Sequence, residues 1–509
     1  MRIVLASSEA VPFSKTGGLA DVASALSKAL ACAGHDVWLV VPFYPQAAGS
    51  SCSGIQATGR TVEVPIGMKP VSGTILHSRL PGSNVTVLLI DQPSYFDRPG
   101  LYQEDGEDHR DNCERFVFFS RAVVEVARIL DLRPDVIHSH DWQTGLIPAL
   151  LAIEARHTAG FEETAAVFTI HNVAFQGQFW HWDMLLTGID WKYFNWRQME
   201  FFEHLNLMKT GIVFADMMTT VSPTYAREIQ TPEFGCRLHG VLSCCGDDLV
   251  GILNGIDTEI WNPETDQALV QNYSVENPAS GKAACKSHLQ QLLGLPVNSR
   301  IPLFGMISRM TDQKGFDLIA ECSEEILGHD LQLCFLGTGD SRYEKMLTEM
   351  AQQNPQKVST TIGFDDELAH KIEAGADAYL MPSRYEPCGL NQMYSLKCGT
   401  VPIVRAVGGL ADTVVDVTEQ TLADGTATGF CFDEYNSEAL LRQVSRAVET
   451  YHQTPRWGQL IKTGMQQDYS WSRSVAEYVT VYEQAKSKRN ATPLGSRQSD
   501  RIVSGGARL

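Results

Sequence analysis

Short apolar runs alternate with stretches of helical periodicity along almost the whole of this chain, and that alternation leaves few folds open. The runs fall at residues 2–9, 36–42, 85–91, 134–140, 165–171 and 217–222, then at 250–254, 302–308, 331–337, 358–363, 378–382 and 401–406. Between the first two, Leu19, Val22, Ala23, Leu26 and Leu30 share one helical face. Strand–helix alternation in two blocks predicts two parallel sheets with helices on both faces, an α/β architecture of two doubly wound, Rossmann-like domains. At 509 residues the chain is long enough for two substantial cores. The expected domains are 1–249 and 250–469, with a helix over 470–486 returning to the first and a disordered, Ser-, Arg- and Gly-rich tail over 487–509.

A glycine-rich loop occurs once near each end. The first copy runs Lys15-Thr16-Gly17-Gly18-Leu19-Ala20-Asp21-Val22 and the second Val407-Gly408-Gly409-Leu410-Ala411-Asp412-Thr413-Val414. Each follows a strand-like run and opens a helix-like one. Paired glycines let a backbone approach a ligand closely, and the N–H groups of the following helix face an anion. Two copies suggest two nucleotide-binding halves facing one cleft. Ordinary strand-to-helix turn chemistry accounts for the second copy equally well. Lys15 beside the first tips that copy toward a phosphate or sugar contact.

Ligands of such sheets bind beyond the carboxyl ends of the strands, and the polar motifs collect there. Ser7, Ser8 and Glu9 follow the first run, His138-Ser139-His140-Asp141 and His171-Asn172 end two others, and Asn254-Gly255-Ile256-Asp257 and Ser308-Arg309 end two more. The net charge of −19 argues against nucleic acid as the main partner. The 12 cysteines lack CxxC spacing, which speaks against a zinc site or disulfide framework and fits a reducing cytoplasm. There is no membrane-length apolar run, and the N-terminus enters a buried-strand pattern instead of a signal or transit layout. A cytoplasmic protein, or one whose targeting segment lies outside this chain, is the expectation.

Arg309 and Lys314 pair a planar guanidinium with an ammonium, a combination suited to a diphosphate and to charge growing on a leaving phosphate without a metal ion. The same spacing also occurs in solvated surface pairs. Glu386 follows an apolar run and stands beside Gly389; a carboxylate there can grip sugar hydroxyls, or simply satisfy a helix start. His171 ends a buried run, where a histidine is either a structural hydrogen-bonding group or a catalytic one. Phe364 can stack on a nucleobase or pack in a core.

Eight stretches in order carry a family resemblance: KTGGLADV (15–22), DVIHSHDWQTGLIPALL (135–151), FTIHNVAFQG (168–177), TPEFGC (231–236), GILNGIDTEIWNP (251–263), SRMTDQKG (308–315), PSRYEPCGLNQMYSLKCGTVPIVR (382–405) and YSWSRSVAEYVTVY (469–482). The chain resembles bacterial glycogen synthases and plant starch synthases, retaining glucosyltransferases of the GT-B fold, from residue 1 to about 485. The resemblance implies two Rossmann-like domains about a deep cleft, ADP-glucose as donor, an α-1,4-glucan such as glycogen as acceptor, and no cofactor or metal. It implies that Arg309 and Lys314 hold the pyrophosphate, that Glu386 and His171 meet the transferred glucose together with Asp141, and that the backbone of Cys388, Gly389 and Leu390 meets glucose and phosphate. Lys15, Gly17 and Gly18 are implied near the donor. Asp21, Tyr95 and Asn254 are weaker carry-overs for the donor sugar and cleft, and Lys286 matches a family lysine as an acceptor or accessory group.

The chain departs from the family pattern in places. Asn391 stands where a threonine is common, and Tyr394 where many retaining GT-B enzymes carry a ribose-binding glutamate. Cys285 replaces an asparagine, Gln92 a histidine, and Arg237 and His239 stand where small or acidic residues are usual. UDP-glucose as donor, glucose 1-phosphate as acceptor, and a non-enzymatic glucan-binding role remain alternatives. A phosphorylase would need a lysine-bound pyridoxal phosphate site, which nothing marks.

Overall fold

The computed structural model describes residues 1–47 and 54–491. These divide into two compact units, Met1–Gly255 with the helix Trp471–Asn490, and Ile256–Ser470.

The first unit is built on a nine-stranded sheet. In spatial order its strands are Leu249–Gly251, Met217–Thr220, Ala165–Ile170, Val136–His140, Arg2–Ala6, Asp36–Pro42, Thr86–Asp91, Lys69–Arg79 and Gln56–Ile66. The first seven pair in parallel, with Ile3 opposite both Val37 and Val136. Their central members are buried along nearly their whole length, so they read as continuous apolar runs. The last two pairings are antiparallel, contrary to the expectation of a wholly parallel sheet. That hairpin was not anticipated because one face of Gln56–Ile66 is solvated: Val62, Val64 and Ile66 point inward and alternate with exposed neighbours. Pro65 is tolerated because the strand lies at the sheet edge. The run expected at 250–254 in the second half is a strand of this first sheet, paired with Met217–Thr220.

Helix Gly18–Cys32 buries Val22, Ala23, Leu26 and Leu30 as its periodicity predicts, with Leu19 half-buried at the rim. The helix Trp471–Asn490 inserts Trp471, Val475, Tyr478, Val481, Tyr482 and Ala485 into the same core as Ile3, Leu5, Leu39 and Val167. Burying each of the larger side chains contributes about 2–3 kcal/mol, enough to hold a helix so remote in sequence. The helix continues to Asn490, so residues 487–490 are not tail; residues 492–509 lie outside the described residues.

The second unit carries a six-stranded, wholly parallel sheet in the order Val358–Ile362, Gln332–Gly337, Leu303–Ile307, Ala378–Met381, Val401–Arg405 and Phe430–Phe432. The order reverses at Leu303–Ile307, which lies between Gln332–Gly337 and Ala378–Met381, and the crevice beyond such a reversal is where ligands of these sheets bind.

Candidate active site

Beyond the carboxyl ends of Leu303–Ile307 and Ala378–Met381 lies a cavity of about 180 Å³, lined by Ser308, Arg309, Lys314, Ser383, Glu386 and the 389–391 segment over a floor that includes Met306 and Leu380. Glycines bring its walls together. Gly315 has φ +82° and passes so close to Pro382 that a Cβ would stand 2.1 Å from its carbonyl oxygen. Arg384 N–H donates to the Gln313 carbonyl at 2.8 Å, tying the same two loops. Lys314 Nζ, 72 residues from Glu386 in sequence, thereby donates to Glu386 Oε2 at 2.5 Å, and Ser383 Oγ donates to the same oxygen at 3.2 Å. Glu386 is 6% exposed, and its Oε1 has no hydrogen-bond partner among the described residues. Arg309 is exposed, and its guanidinium has neither a hydrogen bond nor an ion pair among the described residues. The site thus offers one unpaired cation, one cation held against a carboxylate, and one carboxylate oxygen still able to accept.

Behind this cavity, Asn391 Nδ2 donates to the Ile307 carbonyl at 3.0 Å and to Tyr379 Oη at 2.5 Å, while Tyr379 O–H donates to the Ile307 carbonyl at 2.8 Å. The Asn391 amide nitrogen is therefore part of the frame. Tyr394 packs its ring on Trp261 at 4.0 Å, and Trp261 packs on His370 at 4.0 Å. The position of the absent glutamate is a stacking position here. Phe364 is 86% exposed, with no aromatic partner among the described residues, so it is not a core residue. Cys388 is buried and Gly389 has φ +70°. The Lys286 ammonium is buried, paired with Asp377 at 2.7 Å and hydrogen-bonded to the Ile301 carbonyl, so it ties elements of the unit's core together.

In the first unit, consecutive residues at the end of Val136–His140 grip His171 at the end of the neighbouring strand. Asp141 Oδ1 accepts the His171 backbone N–H at 2.8 Å, with Asp141 at φ +58°, and His140 Nδ1 lies 2.9 Å from His171 Nε2. Burial pushes Asp141 up to about 7, although the His171 and Asn172 N–H groups act the other way. Burial also holds His171 and His138 down at about 3 and His140 well below the usual histidine range. These imidazoles are neutral at ordinary pH.

Lys15 and Asp21 form an ion pair at 2.8 Å with both side chains partly exposed, and Gly17 and Gly18 are exposed above the start of their helix. The loop owes its shape to a residue the sequence reading did not single out as a support. Glu9, 3% exposed, accepts Thr16 N–H at 2.5 Å, Thr16 O–H at 2.7 Å and Tyr102 O–H at 2.6 Å. Its place directly after the first strand was the available signal. Tyr95 packs its ring among Phe96 and Phe118, and its O–H donates at 2.5 Å to Glu114, a carboxylate that also pairs with exposed Lys69 at 2.5 Å. Asn254 is 5% exposed, and its Oδ1 has no hydrogen-bond partner among the described residues. Gln92 caps the short helix Pro93–Phe96 through Tyr95 N–H, and the Arg237 guanidinium lies 3.7 Å over the Phe202 ring. Both departures from the family pattern have local structural uses.

Comparison with known proteins gives the family. The family of the starch synthase catalytic domain matches residues 2–244, and that of glycosyl transferases group 1 matches residues 295–463. A glycogen synthase of Geotalea uraniireducens is 46% identical over 491 residues, covering 96% of this chain and 100% of that protein. This chain belongs to the glycogen and starch synthase family. A second glycogen synthase, from Anaeromyxobacter dehalogenans, is 46% identical over 489 residues, with 95% of this chain and 98% of that protein covered. The catalytic domain of Arabidopsis thaliana starch synthase IV, solved with ADP and acarbose, superposes with a TM-score of 0.87 at 32% identity, covering 95% of this chain and 99% of that one. The glycogen and starch synthase family has the GT-B fold, and the two Rossmann-like units are those of that fold. No helix among the described residues is long and apolar enough to cross a membrane.

Proposed function

We propose that this glycosyltransferase moves glucose from ADP-glucose to the 4-hydroxyl at the non-reducing end of an α-1,4-glucan, with retention at the anomeric carbon. The observation that carries the reading is the Lys314–Glu386 pair beside the unpartnered Arg309 in one cavity at the strand ends. A diphosphate brings two or three negative charges, and two cations in fixed positions suit it. The Arabidopsis relative solved with ADP supports an adenine nucleotide as donor carrier, with the open face of Phe364 for the base.

In this reading the bond between the glucose C1 and the diphosphate oxygen breaks, and the acceptor O4 forms the new bond to C1 on the same face. The acceptor proton goes to the departing phosphate oxygen. Arg309 and Lys314 offset the charge on the leaving group, so the step needs no metal ion. Glu386 Oε1 accepts from a glucose hydroxyl. In the first unit, Asp141, His171 and Lys15 are the candidate sugar and donor contacts. The reaction is placed in the cytoplasm, where the cysteines, all free among the described residues, stay reduced.

The test is incorporation of glucose into glycogen from ADP-glucose or UDP-glucose, with and without a chelator, and determination of the anomeric configuration formed. Expected are incorporation favouring ADP-glucose, indifference to chelator and an α-linked product. A preference for UDP-glucose overturns the donor. An inverted product or a strict metal requirement overturns the mechanism.

A further inference from the structure

His140 makes two kinds of contact. Its Nδ1 lies 2.9 Å from His171 Nε2, while its Nε2 is buried and has no hydrogen-bond partner among the described residues. Its ring lies face to face with His138, 4.1 Å between centroids and tilted by 35°. His138 is itself fully engaged, with Tyr482 O–H at 2.9 Å on Nδ1 and Thr169 O–H at 2.5 Å from Nε2. Nothing in that neighbourhood accepts a proton from His140 Nε2.

Two neutral imidazoles sharing one hydrogen bond must split the roles of donor and acceptor. If His140 carried its proton on Nε2, that N–H would be a buried donor without an acceptor, which proteins avoid more strictly than an idle acceptor. If it carries the proton on Nδ1, the idle atom is a lone pair and the N–H is used on His171. His171 Nε2 is then the acceptor, and the His171 proton sits on Nδ1. That nitrogen has no hydrogen bond among the described residues, and the residue is half-buried.

We propose that His140 is a positioning residue that fixes His171 as the Nδ1–H tautomer, so that His171 presents an N–H donor, and not a lone pair, to the group it meets. With Asp141 holding the His171 backbone N–H, adjacent residues lock both the main chain and the ring of a single histidine. The consequence for activity rests on the reading that His171 serves the transferred glucose; the tautomer itself does not. A ring fixed as a donor can hold a sugar hydroxyl oxygen through the reaction without gaining or losing a proton.

The tautomer is read directly by two-bond ¹H–¹⁵N correlation spectra of the full chain labelled at histidine, with His171 assigned through His171→Gln. The expected pattern for His171 is a protonated Nδ1 and a bare Nε2. A protonated Nε2, or averaged signals, overturns the proposal. His140→Asn keeps an N–H donor close to the place of Nδ1, whereas His140→Gln extends it toward the place of Nε2. His140→Asn should keep kcat within about threefold of the parent and preserve the tautomer. His140→Gln should lower kcat roughly tenfold, the equivalent of one ordinary hydrogen bond, with KM for ADP-glucose changed less than about twofold. Equal losses in both variants, or an unchanged His171 tautomer in His140→Gln, overturn it. If His171→Gln keeps full activity while the tautomer is as expected, the geometric inference stands and the role of His171 in the reaction falls.

Discussion

The two glycine loops share five residues but behave as opposites. At Gly17 the backbone is extended, with φ −158°, and a Cβ built there meets nothing within 4 Å. At Gly408 the backbone has φ +45°, and a Cβ would stand 1.9 Å from the Glu386 carbonyl oxygen; at Gly409 it would stand 2.1 Å from the Cys388 carbonyl oxygen. Gly409 N–H donates to the carbonyls of Glu386 at 3.2 Å and Pro387 at 3.1 Å. The second loop is thus pressed against the segment that carries the site's carboxylate, while the first is open on its outer side. The same string Gly-Gly-Leu-Ala-Asp is scaffold in one unit and accessible surface in the other. Identity of sequence tells where a backbone can approach something closely; it does not tell whether that something is protein.

Breaking the second loop should have the largest effect. Gly409→Ala must displace the 386–388 segment, with an expected loss of about 3 kcal/mol or more in stability and of nearly all transfer activity. Thermal unfolding together with glucose incorporation checks both, and normal activity in that variant ends the claim that the loop supports Glu386. Lys314→Ala comes next. It removes the cation 2.5 Å from a buried carboxylate, and kcat should fall about a thousandfold. A change in KM alone would place Lys314 in ground-state binding only. In the first loop, Lys15→Ala should cost about tenfold in kcat/KM while leaving stability within about 0.5 kcal/mol, because its ion pair with Asp21 is exposed. Gly17→Ala should likewise leave stability within about 0.5 kcal/mol, and its effect should appear in the KM for the donor. If Gly17→Ala destabilises as much as Gly409→Ala, the contrast between the loops is lost.

A further contrast concerns pH. The strand ends of the first unit carry buried titratable groups whose protonation is shifted by burial. Asp141, raised to about 7, contributes stability that is full below about pH 4 and is lost as pH rises through 7. His171 has the opposite sign: lowered to about 3, it contributes fully above about pH 6.5 and loses that contribution as pH falls through 3. Melting temperatures of the parent and Asp141→Asn, measured from pH 4 to 8, should differ most in favour of the parent at the acid end and least at pH 8. A constant difference removes Asp141 from the pH response.

Much of this arrangement could be read before any coordinate. Every central strand lies within an apolar run, because parallel strands buried on both faces have no room for polar residues. The hairpin at 56–79 and the short strand Phe430–Phe432 escaped because one is half-solvated and the other has only three residues. At the site, Arg309, Lys314 and Glu386 were nameable from their motifs, but the meeting of Lys314 with Glu386 depends on Gly315 passing under Pro382 and is invisible in spacing. The surroundings of Lys286 and Tyr95 were equally hidden: the first is buried against Asp377 and the second bonds Glu114 beside Lys69, and no one-dimensional pattern records either direction. Glu9 and His140 were legible as strand-end residues only; their use as supports depends on Thr16 and His171 arriving from elsewhere in the chain.

The helix Trp471–Asn490 carries one more implication. Its side chains complete the core of the first unit, and Tyr482 bonds the ring of His138 beside His140. On the ribosome, residues 1–255 emerge first, but their missing piece follows only after the whole of the second unit has been made. At roughly 5–20 residues per second, the unfinished unit waits tens of seconds with an apolar face uncovered. The second unit, continuous in sequence, has no such wait. The order of synthesis is therefore not the order of completion: the unit translated second can close first, and the unit translated first is sealed by a helix made after it.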